Sequence, residues 1–136
     1  MKALRIDHVG VAVRSIDDTL AVYRALGIDE AADARETVPG QKVRVAFLPV
    51  GESRIELLEP ASEESPVAKF LAKRGPGVHH VCFAVEDLEG ALAELSDKGF
   101  RLIHTAPVPG AGGKRVAFLH PEAGDGVLIE LAEKKS

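Results

Sequence analysis

The amino-acid sequence predicts an α+β fold built from two tandem βαβββ units. Three observations carry that expectation. The pentapeptide RVAFL occurs at 44–48 and again at 115–119. Residues 7–27 (DHVGVAVRSIDDTLAVYRALG) align without a gap on 79–99 (HHVCFAVEDLEGALAELSDKG), placing His8 on His80, Val13 on Val85, Leu20 on Leu92 and Gly27 on Gly99 at an offset of 72. The RVAFL copies stand 71 apart and the IEL triplets at 55–57 and 129–131 stand 74 apart, so the spacing is held from end to end. Such self-similarity marks an internal duplication with small changes in its loops.

Each unit reads in the same order. Val9, Val11 and Val13 alternate with His8, Gly10 and Ala12, the period of a strand. Ser15 with Asp18 three residues later forms the start of a helix whose apolar stripe is Ile16, Leu20, Tyr23 and Leu26. Gly27 ends that helix and Gly99 ends its twin. Further strands are expected at 31–37, 43–50 and 54–59, the last two joined by a turn at Gly51. Ser65 and Pro66 read as N-cap and first residue of a linker helix that stops at Gly75-Pro76-Gly77. The second unit repeats the pattern, with strands near 79–85, 101–106, 114–119 and 127–132. The expected organisation is one domain over 1–136: an N-terminal unit at about 4–60, a linker helix at about 65–75 and a C-terminal unit at about 78–133.

Composition narrows the function classes. Seventeen basic and 21 acidic side chains give a net charge of −4 without any block of like charges, so nucleic acid is not an expected partner. Cys82 is alone, which excludes an internal disulfide and suits a reducing cytosol. The opening MKALRIDHVG holds no apolar stretch long enough for a signal peptide or a membrane span, and a cytoplasmic protein without a membrane partner is expected. The absence of Asn, with one Gln and plentiful charge, fits a thermophile protein and equally a GC-rich genome.

Residue parity separates the strand faces. The Val9, Val11, Val13 face and its counterpart Val81, Phe83, Val85 should pack beneath the helices, leaving His8, Gly10, Ala12 and His80, Cys82, Ala84 on the other side. In the last strand of each unit a carboxylate interrupts an apolar run, Glu56 in RIELL and Glu130 in VLIEL. An ionised carboxylate buried without partners costs several kcal/mol, so either residue, if buried, needs a cation. A lone strand His is more often core than ligand, and a lone Glu usually faces solvent. Recurrence of both at corresponding places is what favours a shared site of His8, Glu56, His80 and Glu130. Two nitrogens and two oxygens suit one divalent ion such as Co, Mn, Ni or Zn, with Mg less favoured. His79, His104 and His120 have no such twin and are given no metal role.

The stretches DHVGVAV, LLEP, SPVAKFLAKRGPGVHHVCFAV, GKRVAFLHP and GVLIEL resemble the methylmalonyl-CoA epimerases, isomerases of the vicinal oxygen chelate or glyoxalase-like superfamily, across nearly the whole chain. DHVGVAV taken singly would point only to the superfamily. The resemblance implies a cupped mixed sheet of paired βαβββ units around one metal, cobalt as first choice, held by His8, Glu56 (often Gln in relatives), His80 and Glu130. It implies interconversion of the 2R and 2S forms of methylmalonyl-CoA through a metal-stabilised enolate, with Glu130 as the catalytic base or acid on one face. It also implies a homodimer. Where certain relatives carry a second catalytic Glu, residues 38–44 read VPGQKVR and hold no acid. The opposite face is left to Glu36, Glu56, a water or another loop. Coenzyme A brings phosphates, for which Lys69, Lys73, Arg74 and Lys114 are candidates, the first three reading more readily as a solvated helix face. The alternatives within the superfamily are a glyoxalase I-type lactoylglutathione lyase, told apart by thiol substrate, and a non-catalytic ligand-sequestering protein, told apart by lack of metal.

Overall fold

The computed structural model describes residues 1–31 and 35–134. Among the described residues, the chain runs β1 (Arg5–Ala12), α1 (Ile16–Ala25), β2 (Glu36–Val38), β3 (Val43–Val50), β4 (Ser53–Pro60), α2 (Pro66–Arg74), β5 (Gly77–Val85), α3 (Leu88–Asp97), β6 (Val108–Pro109), β7 (Arg115–Phe118) and β8 (Ile129–Glu133). The βαβββ order is present twice, with α2 between the copies. The backbone gathers into two compact units, Val9–His79 and Met1–His8 with His80–Ser136, so the division falls within β1 and β5.

In the Val9–His79 unit the strand order is β2-β3-β4-β1. β3 pairs antiparallel with β2 and with β4, and β4 pairs parallel with β1. The β3–β4 turn uses Gly51 at φ 59°, a conformation that costs glycine little. Ser15 caps α1 by accepting from the Asp18 N–H at 3.2 Å, and the Ile16 N–H donates to Glu59 Oε1 at 3.0 Å. Ile16 and Leu20 bury the apolar stripe against Val13, Ala46, Leu48 and Leu57, with Val11 and Tyr23 at the margin, the strand face expected from parity. Ser65 caps α2 through the Val67 N–H. Of the strand expected at 31–37, Glu36–Val38 is formed, and residues 32–34 lie outside the described residues.

In the other unit β8 pairs parallel with β5 and antiparallel with β7, which pairs with β6. The chain ahead of β1 joins β5 through a bond from the Leu4 N–H to the Ala84 carbonyl at 2.9 Å. Val85, Leu88, Leu92, Ala117, Leu119 and Leu131 form the core under α3, with Phe83 against it. Asp87 caps α3 by accepting from the Gly90 N–H.

One element differs from expectation. A regular strand at 101–106 is replaced by an isolated bridge between Leu102 and Leu119, followed by the short β6. The N–H groups of Ile103 and His104 both donate to the Phe118 carbonyl, at 2.9 and 3.2 Å. The Phe118 N–H in turn donates to His104 Nδ1 at 3.0 Å, so a side chain replaces a rung of the ladder. Pro107 and Pro109 remove two further donors.

The packing of α1 makes a direct prediction. Leu20 is buried in the core while Val22, on the same helix, is 58% exposed. Leu20→Ala should cost about 2–5 kcal/mol in urea unfolding and Val22→Ala less than about 0.5 kcal/mol. Equal losses would contradict the helix orientation.

Candidate metal centre

Strand parity brings the polar residues inward. His8 on β1, Glu56 on β4, His80 on β5 and Glu130 on β8 are each no more than 5% exposed. The register is repeated: Gly10 lies opposite Glu56 on the β1–β4 ladder, and Cys82 opposite Glu130 on the β5–β8 ladder. Each Glu therefore pairs with the residue two beyond a His, on the same strand face. Gly10 and Cys82 are small, which leaves space beside the carboxylate.

Three of these residues converge in the unit that contains residues 1–8 and 80–136. His8 Nε2 is 3.0 Å from His80 Nε2 and 3.0 Å from Glu130 Oε1, and His80 Nε2 is 3.1 Å from the same oxygen. The rings meet edge to face at 87° with centroids 5.1 Å apart, and Phe118 covers His80 with its centroid at 5.5 Å. A single proton can serve only one edge of this triangle. Glu130 Oε1 is buried and, although close to both nitrogens, is left without a hydrogen bond of acceptable geometry. Such an orphaned oxygen calls for a cation. Donors about 2.1 Å from one ion lie about 3.0–3.4 Å apart, a range that includes the observed edges. His8, His80 and Glu130 thus form a buried group able to hold a metal ion. Asp7, His8 and Cys82 form a second cluster that shares His8.

Burial pushes the Glu130 carboxyl up, but the His8 and His80 imidazoles facing it outweigh that and hold it at about 2. It is ionised throughout the neutral range.

Glu56 solves the same problem differently. Arg54, two residues earlier on β4, places Nε 2.7 Å and a terminal nitrogen 2.6 Å from Glu56 Oε2, and its guanidinium lies over the Phe47 ring. The cation demanded by a buried Glu56 is supplied within the chain. The remaining histidines have other contacts: His79 stacks edge-on with Phe70, His104 accepts from Phe118, and His120 caps a 3-10 turn through the Glu122 N–H. Lys69, Lys73 and Arg74 are exposed on α2, whereas Lys114 turns inward to Asp7, with Nζ 2.7 Å from Oδ1. Asp7 Oδ2 in turn lies 2.8 Å from His8 Nδ1. Sequence reasoning missed Asp7, because it aligns with His79 and the repeat carries no sign of it.

Residues 7–118 match the glyoxalase/bleomycin resistance protein/dioxygenase superfamily. The chain is 40% identical over 132 residues to the ethylmalonyl-CoA/methylmalonyl-CoA epimerase of Cereibacter sphaeroides, covering 95% of this chain and 97% of that protein. It is 35% identical to the mitochondrial methylmalonyl-CoA epimerase of Homo sapiens, covering 95% of this chain and 73% of that one. A solved methylmalonyl-CoA epimerase in complex with methylmalonyl-CoA and NH4+ superposes with a TM-score of 0.92 at 39% identity, covering 99% and 97% of the two chains.

The depressed Glu130 carboxyl has a consequence for acid stability. In the folded protein it stands at about 2, below the ordinary 4.5, so its contribution is present above about pH 4.5 and is lost as pH falls through about 2. In metal-free protein, Glu130→Gln should be less stable than wild type by on the order of 3 kcal/mol at pH 7, the gap closing toward pH 2 in urea unfolding. A gap that stayed constant with pH would show that the charge of Glu130 contributes nothing.

Proposed function

Because the chain belongs to the glyoxalase/bleomycin resistance protein/dioxygenase superfamily and, within it, to the methylmalonyl-CoA epimerases, we propose that it interconverts the 2R and 2S forms of methylmalonyl-CoA. The observation that carries this reading is the orphaned Glu130 oxygen facing two imidazole nitrogens. His8, His80 and Glu130 would hold one divalent ion; Glu56, which the repeat offers as a fourth ligand, already has Arg54 as its cation. Two imidazole nitrogens and carboxylate oxygens suit cobalt, the first choice, and manganese, nickel and zinc as alternatives.

The reacting carbon lies between a thioester and a carboxylate, and its proton leaves only if the developing charge is stabilised. The bound ion supplies that stabilisation as a Lewis acid for an enolate. Glu130, ionised at neutral pH, is ready to accept the proton through Oε2. Phe118 over His80 keeps water from that side of the site. Inversion requires a second donor on the opposite face, and Glu36 on β2 and Glu56 on β4 are the carboxylates proposed for it.

The substrate range is proposed to include ethylmalonyl-CoA, since the Cereibacter sphaeroides relative is named for both acyl groups. The protein is proposed to act as one domain in a cytoplasmic homodimer without nucleic-acid or membrane partners. Among the described residues no helix is long and apolar enough to cross a membrane, and the net charge is negative.

Incubating one epimer of methylmalonyl-CoA in heavy water with cobalt-loaded protein tests the reading. Inversion should accompany deuterium uptake at the carbon between the carbonyls, and Glu130→Gln should lower both rates by about 10²-fold or more. Loss of the second donor in Glu36→Gln or Glu56→Gln should leave uptake but abolish inversion. Neither uptake nor inversion above a metal-stripped control, with Co, Mn, Ni or Zn supplied, would overturn the epimerase reading.

A further inference from the structure

His8 faces the metal centre through Nε2 and, through its other nitrogen, faces a buried chain of charges. His8 Nδ1 lies 2.8 Å from Asp7 Oδ2, and Asp7 Oδ1 lies 2.7 Å from Lys114 Nζ. Asp7 is 3% exposed and the Lys114 side chain 14%. Arg5 stands farther from the same Asp7 oxygen, at 3.9 Å. These residues all belong to the unit that carries His8, His80 and Glu130.

The loop before Lys114 explains how a lysine reaches the interior. Gly110 donates its N–H to the Lys114 carbonyl at 2.9 Å, closing a tight return. A side chain on Gly110 would place its first carbon 2.7 Å from a Val116 methyl, and Gly112 and Gly113 take φ values of 72° and 69°. The glycines of GAGG are thereby required by the turn that delivers Lys114 to Asp7.

An imidazole that offers Nε2 to a metal must carry its proton on Nδ1, and a carboxylate at Nδ1 fixes both that tautomer and the plane of the ring. Such a carboxylate, buried, needs a cation of its own. We propose that Asp7 and Lys114 are positioning residues of the metal centre: Asp7 holds the Nδ1–H of His8, and Lys114 holds Asp7. Lys114 is thereby engaged inside the protein and does not serve the phosphates of an acyl-CoA. The proposal rests on the reading of His8, His80 and Glu130 as a metal centre.

The test compares wild type, Asp7→Ala, Asp7→Asn, Lys114→Met and the Asp7→Ala/Lys114→Met double variant. Zinc affinity is measured by competition with a chromophoric chelator, and the His8 ring by 15N NMR in zinc-loaded and metal-free protein. Asp7→Ala should weaken zinc binding by about 10- to 100-fold and remove the protected Nδ1–H signal of His8. Asp7→Asn, which keeps an acceptor oxygen but no charge, should fall between it and wild type. Lys114→Met should weaken zinc, and the double variant should bind within about twofold of Asp7→Ala, the non-additivity expected of residues acting in one chain. Its KM for methylmalonyl-CoA should move no more than that for the pantetheine thioester, which lacks the nucleotide phosphates. If Asp7→Ala does not fold, Asp7→Asn decides.

Wild-type zinc affinity and an intact Nδ1–H signal in the Asp7 variants would overturn the proposal. So would a Lys114→Met protein with unchanged zinc affinity and a KM raised for the CoA ester alone. Failure of wild type to bind zinc or cobalt would instead sink the metal reading, while the His8 signal in metal-free protein still reports the Asp7 contact.

Discussion

A negative charge buried on β8 sets the terms for the residues around it. The Glu130 carboxylate is 5% exposed, and removing an ionised carboxylate from water costs several kcal/mol even after relaxation. It persists as an anion because two imidazoles, one from β1 and one from β5, point at a single oxygen. That demand fits the small residues Gly10 and Cys82 that stand opposite the two Glu, and Phe118 packed against His80. The two imidazoles together leave Oε1 without a proper donor, and this residual demand is what suits the site to a cation rather than to a proton.

The duplication supplied each half with a His and a Glu in the same register, but the halves have since met the cost of burial in different ways. Glu56 is compensated by Arg54 on its own strand, and Glu130 by imidazoles. The difference suits a division of labour in the proposed reaction. A carboxylate bound to a guanidinium through Oε2 is held in place, whereas one facing only ring nitrogens can exchange those partners for a metal and a substrate proton. Lys114 and Asp7 extend the same logic outward from His8, each buried charge being answered by the next.

Much of the fold was legible because its signals are local and doubled. Ser15, Ser65, Gly27 and Gly99 act as the caps and stops their residue types imply, and the RVAFL copies fall on β3 and β7. The strand at 101–106 was misread because the repeat calls for one there, yet the ladder depends on a distant His104–Phe118 contact that no local pattern encodes. His8, His80 and Glu130 could be picked out because the repeat names them twice. Asp7 could not, since an unlike residue stands at its place in the repeat, and Lys114, singled out for acyl-CoA phosphates, meets Asp7 only after folding; Arg54 acts on Glu56 from two residues away on the same strand. Lys114 lies 107 residues from Asp7 along the chain.

Anomalous diffraction from cobalt-loaded crystals, recorded at the cobalt edge, tests the central claim most directly. One peak per chain is expected about 2.1 Å from His8 Nε2, His80 Nε2 and Glu130 Oε1. A peak seated instead among Asp7, His8 and Cys82, or no peak within reach of Glu130, would contradict it.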